Sequence, residues 1–562
     1  MTSTNPPTNL SKIIAVSSVG SILEWYDLYL FGSLATIMST SFFPKTDPTA
    51  ALLYTFALFG AGILMRPIGA LIFGRLGDRV GRKSTFVMTL TIMGISTFAI
   101  GIIPGYERIG LAAPLLLLVL RLLQGLAVGG EYGAVSTYVA EYAATDRRGY
   151  FTSWIQASAT IGLVLSLVVI LIARYGLDSD HPASIEKFDA WGWRIPFLLS
   201  VVLVAISLYI RGKMQESPLF NRLKTEGGLS VNPLAESFGR KDNLKRVLLA
   251  LFGAAMGQGV IFYTGQFYAR SFLEDVCMID PDQARTMMLI ALIPAMPFFI
   301  LFGGRSDRSG RKWMMMAGIL LAILTYPFLF GGLLKVSATE GRTELTGQKE
   351  IRTSAAFINK TRDMVQSSAT LTYYEDGTIV TETQKDTVYA GGKAGGSAGG
   401  QPGGSVGGKA GGRPVTTVSK SLNTIDYWKM IALLFVMAFS VTLVSGPITA
   451  WLIDLFPARV RCTSISLPYH VGNGLFGGLV PIIATLLMTI YPGHALAGLW
   501  YPMGAAAIGL VIGAIGITGG AGGSGGNGGA GGNGGSGGNG GSGGKGAGRG
   551  GFPQGEYNNQ PE

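Results

Sequence analysis

Long apolar runs separated by short polar segments dominate the chain between residues 12 and 518. The separating segments contain Pro, Gly and charged residues, which end helices and favour turns. Because an α-helix needs about 20 apolar residues to cross a bilayer, each run predicts a membrane-spanning helix. A soluble protein with a large apolar core does not contain a dozen such runs. We therefore predict an all-α membrane protein with twelve transmembrane helices.

The charged residues of the connecting segments predict how the helices are oriented. Segment 211–246 is strongly basic, whereas segment 174–191 is mainly acidic. Since Lys and Arg next to membrane helices mark the cytoplasmic side, we place 211–246 inside and 174–191 outside. Twelve helices then leave both termini in the cytoplasm.

The polar segments also divide the chain into units. We predict two pseudo-symmetric six-helix halves joined by the basic linker, and a terminal segment at each end that cannot bury a core. The predicted units are a disordered tail at 1–10, an N-terminal half at 11–210, a cytoplasmic linker at 211–246, a C-terminal half at 247–518 and a disordered, Gly-rich cytoplasmic tail at 519–562.

A long insert interrupts the second half at 335–427, which lies outside by the same helix count. Within it, 370–382 alternates polar and β-prone residues around Asp376-Gly377, which predicts a β-hairpin. Residues 391–412 are rich in Gly and predict a flexible linker. The insert is therefore expected to be a hairpin followed by a linker.

Composition supports a membrane protein and argues against a nucleic-acid partner. The chain is 48% hydrophobic and 14% charged, with a mean hydropathy of +0.39, whereas soluble domains carry about 25% charged residues. The net charge of +11 comes from cations in the cytoplasmic segments. No basic run is interleaved with aromatic residues, so we expect a lipid bilayer rather than a nucleic acid around this protein.

The sequence contains no motif for an enzyme, a metal or an ATP-driven motor. Segment 403–409 matches most of a phosphate-binding loop, but Ala410 stands where that loop needs Ser or Thr. We also find no nucleophile–base set and no cluster of metal ligands. We therefore expect neither an enzyme nor a cofactor, and an ATP-driven pump is not supported.

A basic stretch between the second and third apolar runs returns in the second half. The first copy, 74–83, contains four cationic residues around Asp78, and the second, 304–312, contains the equivalent Asp307. The copies are about 230 residues apart, which is far longer than a solenoid repeat. The repeat therefore predicts two related halves, each with a short basic loop on the cytoplasmic side.

The pattern Gly-x-x-x-Asp-Arg-x-Gly-Arg-Lys, placed between helices two and three and echoed between eight and nine, resembles the signature of the major facilitator superfamily. Three further stretches, at 24–32, 121–141 and 456–474, look like its metabolite:proton symporter family. The similarity covers about 12–334 and 428–518. The external insert and the Gly-rich tail depart from the family pattern, so their roles stay open.

The resemblance implies a function as well as a fold. Members of that family carry osmolytes such as proline and betaine, or organic acids such as citrate, α-ketoglutarate and shikimate, across the bacterial inner membrane together with protons. The superfamily also implies a monomer. The arginine of the fourth helix that the family ties to proton coupling is Arg121 in this chain.

Six ionisable residues lie inside the predicted spans, where each costs about 2.5–3.5 kcal/mol on insertion scales and so indicates function. They are Glu24, Asp27, Arg66, Arg121, Glu131 and, near the inner end of the tenth span, Asp454. Glu24 and Arg121 fall at matching depth near the middle of the membrane, so an acid and an arginine are expected to pair there, either as a proton switch or as a fixed ion pair. Arg66 is expected near the inner end of its helix, in a structural or gating role. Glu131 is flanked by glycines that allow close helix contact.

A second group of residues is predicted to form an inner gate. Asp78 and Asp307 are expected to cap the helix that follows each of them or to accept hydrogen bonds from Arg82 and Arg311. The resemblance implies that they latch the two halves on the inside, whereas the alternative is that the cations only fix orientation. The predicted gate residues are Gly74, Asp78, Arg79, Gly81, Arg82, Lys83, Asp307, Arg308, Gly310, Arg311, Lys312, Asp454, Arg459 and Arg461.

These observations favour a secondary transporter that imports a small organic acid or a zwitterionic osmolyte with protons, using the proton gradient as its energy source. Arg121 and Arg66 offer cationic partners for a substrate carboxylate. Two alternatives stay open: a sensor that kept the carrier fold without transporting, and a proton-coupled drug exporter. His470 and His494 are interpreted as packed or loop-exposed histidines.

Overall fold

The computed structural model describes residues 10–44, 48–179, 181–212, 215–345, 349–358, 363–389, 409–410 and 415–517. The tail predicted at 519–562 and the tail at 1–10, apart from Leu10, lie outside the described residues. So does the Gly-rich segment 391–412, apart from residues 409–410.

Long helices account for most of the described chain. The first six are α1 (Leu10–Ser33), α2 (Pro48–Arg79), α3 (Arg82–Ile102), α4 (Ala112–Tyr142), α5 (Arg148–Tyr175) and α6 (Arg194–Gly212). The second six are α7 (Lys241–Val276), α8 (Pro281–Ser309), α9 (Arg311–Ser337), α10 (Thr424–Leu455), α11 (Ala458–Ile490) and α12 (Trp500–Gly516). Short helices at Ala35–Phe42, Tyr106–Ile109, His181–Lys187, Pro218–Thr225 and Pro233–Phe238 connect them.

The lengths and apolar character of these helices fit a membrane. Within the described residues, ten helices are long and apolar enough to cross a bilayer, and the pair Ala183–Gly192 and Arg194–Tyr209, bent by 63°, makes an eleventh. Helix α1 packs against α5 in the same bundle and completes twelve. This arrangement agrees with the predicted all-α membrane fold.

Helices α1–α6 and α7–α12 form two bundles that meet along two equivalent contacts. Within each bundle α2 packs on α4 and, correspondingly, α8 packs on α10. Between the bundles α2 lies against α11, and α8 lies against α5. We call the end that carries the α2–α3 and α8–α9 connections the signature face, and the end that carries the insert between α9 and α10 the insert face.

The two predicted signature loops are mostly helix. Helix α2 continues to Arg79 and α3 begins at Arg82, while a single residue, Gly310, separates α8 from α9. Gly81 has φ of +132° and Gly310 has φ of +92°, a backbone conformation that favours glycine. Cations on the last turn of a membrane helix reach water while their backbone stays helical, so their charge alone does not end the helix.

The described residues of the insert form a five-stranded antiparallel sheet, so a lone hairpin with a linker was too simple a prediction. Its strands are β1 (Glu350–Ile358), β2 (Asp363–Tyr373), β3 (Ile379–Tyr389), β4 (Lys409–Ala410) and β5 (Val415–Ser421). Strands β2 and β3 pair around the turn at Asp376-Gly377, where the sequence predicts the hairpin. Strand β1 adds to one edge, and β5 pairs with β3 on the other side.

Candidate functional site

Helices α2 and α4 pack so closely that their backbones touch. A Cβ atom on Gly125 would overlap the carbonyl oxygen of Gly62, and one on Gly129 would overlap that of Arg66. Only glycine permits this distance, which is how small residues bring membrane helices together. The close packing places the polar side chains of α1, α2 and α4 around one small space.

That space, here called the midplane cleft, lies near the middle of these three helices. It contains four of the six ionisable residues that the sequence predicts inside the spans. Its lining residues are Glu24, Asp27, Leu28, Phe59, Gly62, Ile63, Arg66, Arg121, Gln124, Gly125 and Val128. All of them come from the first half of the chain.

Asp27 is the carboxylate that pairs with Arg121. Its Oδ2 atom lies 3.7 Å from Arg121 Nη1, and both side chains are about 95% buried. Arg121 also donates a hydrogen bond of 2.9 Å to Gln124, and its guanidinium lies 3.4 Å from the centre of the Phe31 ring. The sequence placed Glu24 opposite Arg121 by depth, but depth does not give the rotation of α1, which turns Asp27 toward α4.

Glu24 faces a different pair of charged groups. Among the ionisable side chains, Glu131 and Arg66 interact with it electrostatically. Both glutamates are buried, Glu131 completely. Gly130 and Gly133, which flank Glu131, allow α4 to pack against Phe73 and Ser466. A Cβ atom on Gly130 would overlap the Phe73 side chain, and one on Gly133 would overlap that of Ser466. Two carboxylates and one guanidinium therefore share a second part of the buried site.

Arg66 lies at the midplane cleft, whereas the sequence predicted that it lies near the inner end of its helix. Helix α2 extends to Arg79, several residues beyond the predicted end at 73, so Arg66 lies deeper. Its side chain is 4% exposed and crosses to the second half, where Nη1 donates a 3.3 Å hydrogen bond to Tyr263 Oη. Arg66 thus links α2 with α7.

The second half contributes polar residues that the sequence analysis did not select. Asn473 donates to Gln258 at 2.7 Å, and Gln258 donates to Ser445 at 3.0 Å, which connects α11, α7 and α10. His470 is 2% exposed and lies beside Arg66. His470–Gly477 is a π-helical segment, a feature that often marks functional sites in helices. Neutral polar residues in apolar runs give no strong sequence signal.

Aromatic and amide side chains join the halves at this depth. Tyr132 of α4 stacks on Tyr469 of α11 with ring centres 3.3 Å apart, and its hydroxyl is 2.9 Å from Thr449 Oγ1 of α10. Gln156 of α5 donates to both hydroxyl groups, at 3.1 and 3.0 Å. These contacts continue the buried polar site from the first half into the second.

At the signature face, Asp78 caps a helix of the opposite half. The backbone N–H groups of Cys462 and Thr463, at the start of α11, donate to its carboxylate at 3.2 and 2.8 Å. Arg82 lies 3.3 Å from the same carboxylate. A carboxylate is stabilised at a helix N-terminus by unpaired N–H groups and the helix dipole. Asp78 therefore does not cap the helix that follows it, which was one of the two roles predicted.

Asp307 makes the equivalent contact from the second half to the first. Its carboxylate accepts hydrogen bonds from the N–H groups of Gly149 and Tyr150, at 2.8 and 3.0 Å, at the start of α5. Arg311 donates to it at 2.9 Å. The two signature aspartates therefore connect the halves twice, by α2 to α11 and by α8 to α5.

Glu141 is a member of this network that was not among the predicted site residues. It lies 3.4 Å from Arg82 and 4.0 Å from Arg461, and it accepts a hydrogen bond from Ser217. Asp454 occupies the corresponding place at the end of α10, in contact with Arg311 and 3.0 Å from Arg148 of α5. Each half thus places an acid at the end of its fourth helix beside a signature arginine.

The remaining predicted gate residues divide into two groups. Most contact a neighbouring helix: Gly74 packs on Thr463 of α11, Lys83 donates to Gly212 at the end of α6, Lys312 donates to Ala514 of α12 and Arg459 pairs with Glu236 of the linker. Arg79 and Arg308 are exposed on the outer side of the bundle and lie apart from these contacts.

The halves also touch near the insert face. Tyr175 of α5 donates a 2.6 Å hydrogen bond to Asp282 of α8, and Arg174 lies 3.5 Å from the same carboxylate. Arg270 of α7 donates to Ser33 of α1 at 2.7 Å. The buried polar site is therefore bounded by contacts between the halves toward both faces.

Relatives of known function match most of this chain. Residues 13–228 match the family model described as sugar (and other) transporter. The citrate-proton symporter of Klebsiella pneumoniae is 29% identical over 512 residues, which cover 91% of this chain and 92% of the relative. The α-ketoglutarate permease of Escherichia coli is 34% identical over 331 residues, which cover 58% of this chain and 73% of the relative. The proline/betaine transporter of E. coli is 35% identical over 327 residues, which cover 57% of this chain and 64% of the relative.

Solved structures share the fold. A double-tryptophan mutant of XylE aligns with a TM-score of 0.60 at 16% identity, over 90% of this chain and 94% of that one. The partially occluded, inward-open xylose transporter XylE from E. coli aligns with a TM-score of 0.54 at 16% identity, over 90% of this chain and 98% of that one. The relatives named are transporters, in agreement with the expectation that the chain is not an enzyme. The chain belongs to the major facilitator superfamily, in its metabolite:proton symporter family.

Proposed function

We propose that the protein imports a small organic acid or zwitterion together with protons, by alternating access of its two halves. One observation carries the proposal. The ion pair of Asp27 and Arg121 is buried in the midplane cleft, next to Glu24 and Arg66. Buried charges of this kind are costly in a membrane and are retained where they bind an ion or a substrate.

The geometry supports a coupling mechanism based on Asp27 and Arg121. A carboxylate in contact with a guanidinium stays ionised, and one that loses its partner in an apolar environment binds a proton. Both residues lie on helices of the first half, so a small rotation of α1 against α4 is sufficient to separate them. We propose that substrate and proton binding shift this contact, and that Glu24 and Glu131 provide further proton or cation sites.

The contacts at the two faces support the alternating step. Asp78 and Asp307 connect the halves at the signature face, and Asp282 connects them near the insert face. Rocking of two repeats around a central site requires one set of contacts to break while the other forms. The signature residues are thus proposed as the inner gate, which closes when the cleft opens outward.

We propose the orientation and the domain division on the same basis. The signature face is cytoplasmic because its connections and the linker 211–246 are rich in cations. The insert 335–427 then lies outside the bacterial inner membrane, and both termini lie inside. The carrier acts as a monomer, because the buried site and both sets of contacts are formed within one chain.

The relatives support this activity but differ in substrate. One is named a citrate-proton symporter, another a proline/betaine transporter and a third an α-ketoglutarate permease. Each of these names specifies a compound that contains a carboxylate, and the first also specifies symport with a proton. A non-transporting sensor or a drug exporter is less consistent with them.

The proposal is tested by uptake into proteoliposomes with an imposed pH gradient. Labelled α-ketoglutarate, citrate, shikimate, proline and glycine betaine are offered singly, with and without a protonophore. We expect one of them to accumulate and the protonophore to abolish accumulation. Uptake that does not depend on the pH gradient would identify a facilitator. If none of the five compounds is taken up, the proposed substrate class is contradicted.

A further inference from the structure

Arg66 and His470 come from opposite halves and meet at the depth of the midplane cleft. The Cδ atom of Arg66 lies 3.3 Å from the position of a Cβ on Gly474, which follows His470 by about one turn of α11. Arg66 is also an electrostatic neighbour of the His470 ring. The side chains are 4% and 2% exposed.

Each of these side chains has a polar atom that its neighbours do not satisfy. Within the described part of the chain, Arg66 Nε and His470 Nε2 are buried without a hydrogen-bond partner. Buried polar atoms in native proteins are nearly always paired, so two unpaired nitrogens at one place require an explanation. The explanation that fits a carrier is a ligand oxygen that binds between them.

The chemistry of the two nitrogens selects a carboxylate. A guanidinium presents a planar fork of N–H donors that matches the two oxygens of a carboxylate. Imidazole donates a further hydrogen bond in the tautomer that carries the proton on Nε2. Arg121 faces Asp27 within the first half, whereas Arg66 reaches the second half, where it donates to Tyr263.

Aromatic side chains surround the two donors and offer walls against which the body of such a compound packs. The Tyr132 ring packs edge-on to His470 with centres 6.3 Å apart, and Trp25 lies 6.4 Å from Tyr263, which binds Arg66. Substrate sites commonly combine aromatic walls with a few polar groups that fix orientation. A carboxylate held here contacts both halves at once.

We propose that Arg66 and His470 together bind the carboxylate of the transported substrate, one from each half, and that His470 is a specificity-determining residue. The inference rests on the proposed carrier function and extends it to a named pair of donors. Because the pair spans the interface between α2 and α11, binding of the carboxylate also favours closure of the halves around the substrate.

Substitutions at His470 test the pair. His470→Ala removes the donor, whereas His470→Gln places an amide N–H close to the position of Nε2. The compound used is the one of the five that the wild type accumulates. We expect its KM to rise about tenfold or more in His470→Ala, with a smaller effect on the maximal rate. His470→Gln is expected to restore most of the affinity.

The matched control is His494→Ala, because His494 is exposed in the loop between α11 and α12. It is expected to leave KM unchanged. A second readout avoids transport: in detergent, the same compound should raise the melting temperature of the wild type but not of His470→Ala. The fully methyl-esterified form of that compound, which has no ionised carboxylate, should have no effect on either protein.

The outcomes separate this inference from the proposed function. Proton-driven uptake with the same KM in wild type, His470→Ala and His470→Gln would overturn the carboxylate site and leave symport intact. Stabilisation by the ester equal to that by the acid would also overturn it. Failure of the wild type to accumulate any of the five compounds would contradict the proposed function and, with it, this site.

If His470→Ala does not fold, Arg66→Lys replaces it, because lysine lacks the fork of donors. An unchanged KM in that variant would overturn the site as well.

Discussion

Asp27 Oδ2 lies 3.7 Å from Arg121 Nη1 inside the first half, and both side chains are almost completely buried. Arg121 is further held by Gln124, which itself donates a 2.9 Å hydrogen bond to Thr97 of α3. Three helices, α1, α3 and α4, therefore fix one ion pair near the middle of the membrane. Such a pair is sensitive to small helix movements, because its energy depends steeply on distance where the dielectric constant is low.

Removal of one partner is expected to harm both stability and coupling. Arg121→Ala leaves the Asp27 carboxylate buried without its cation, which typically costs about 3–5 kcal/mol. We expect a lower melting temperature in detergent and no accumulation driven by a pH gradient. The double variant Asp27→Asn with Arg121→Gln removes both charges, so it should recover most of the stability but not the coupling. Gradient-driven accumulation by the double variant would show that the pair is only structural.

Loss of the Asp78 cap is expected to loosen the signature face. Asp78→Ala removes the acceptor for two N–H groups of α11, and loss of an N-cap costs about 1 kcal/mol. Cys462 is buried directly behind this contact and is a free thiol. We therefore expect a maleimide reagent to label Cys462 several-fold faster in the variant than in the wild type.

Two internal references accompany that experiment. Cys277 is the other free, buried thiol and lies toward the insert face, so its labelling rate should not rise with that of Cys462. Asp146→Ala removes an exposed acid from the α4–α5 connection at the signature face and should change neither rate. Equal labelling of Cys462 in wild type and Asp78→Ala would exclude Asp78 as a latch.

Glu141 and Arg82 are expected to act as a unit. Their side chains are fully buried and 3.4 Å apart, and Arg82 also donates a 3.0 Å hydrogen bond to the Ala458 carbonyl of the other half. Contacting groups in one network show coupling energies of about 0.5–3 kcal/mol in double-mutant cycles. We expect the stability losses of Glu141→Gln and Arg82→Gln to be strongly non-additive, as measured by thermal unfolding in detergent. The exposed pair Arg222 and Glu226, 2.7 Å apart, is the control and should show little coupling.

The insert is expected to loosen in acid. Partial burial raises the pKa of Asp376, but hydrogen bonds from Thr378 and the charge of Arg342 outweigh it and hold the pKa below its ordinary value. A lowered pKa in the folded state contributes stability above the ordinary value of about 3.9, and this contribution is lost as the pH falls through the folded pKa. We expect pepsin cleavage between β2 and β3 to increase steeply below about pH 4. The increase should be weaker in Asp376→Asn, whereas Glu375→Gln should behave as the wild type.

Apolar runs and cation placement were sufficient to predict the twelve-helix membrane fold, because the cost of exposing polar backbone in lipid leaves few alternatives. The motif at 74–83 likewise indicated the family. The sequence did not reveal that Asp27 and not Glu24 faces Arg121, because helix rotation depends on packing between elements. Gln258 was missed, and His470 was interpreted as an ordinary histidine, because a polar residue inside an apolar run resembles a core residue. The outer strands of the insert were missed because β1 and β5 are rich in Ser, Thr, Ala and Lys, and no Asn-Gly or Asp-Gly dipeptide adjoins either of them in the sequence.

The central claim is that proton and substrate move together through the site formed around Asp27 and Arg121. The most direct test records the internal pH of proteoliposomes while the accumulated compound is added outside at equal pH. The account predicts that substrate influx acidifies the interior of wild-type vesicles, and that vesicles with Arg121→Ala show no acidification. Substrate influx without acidification in the wild type, or equal acidification in Arg121→Ala, would contradict the account.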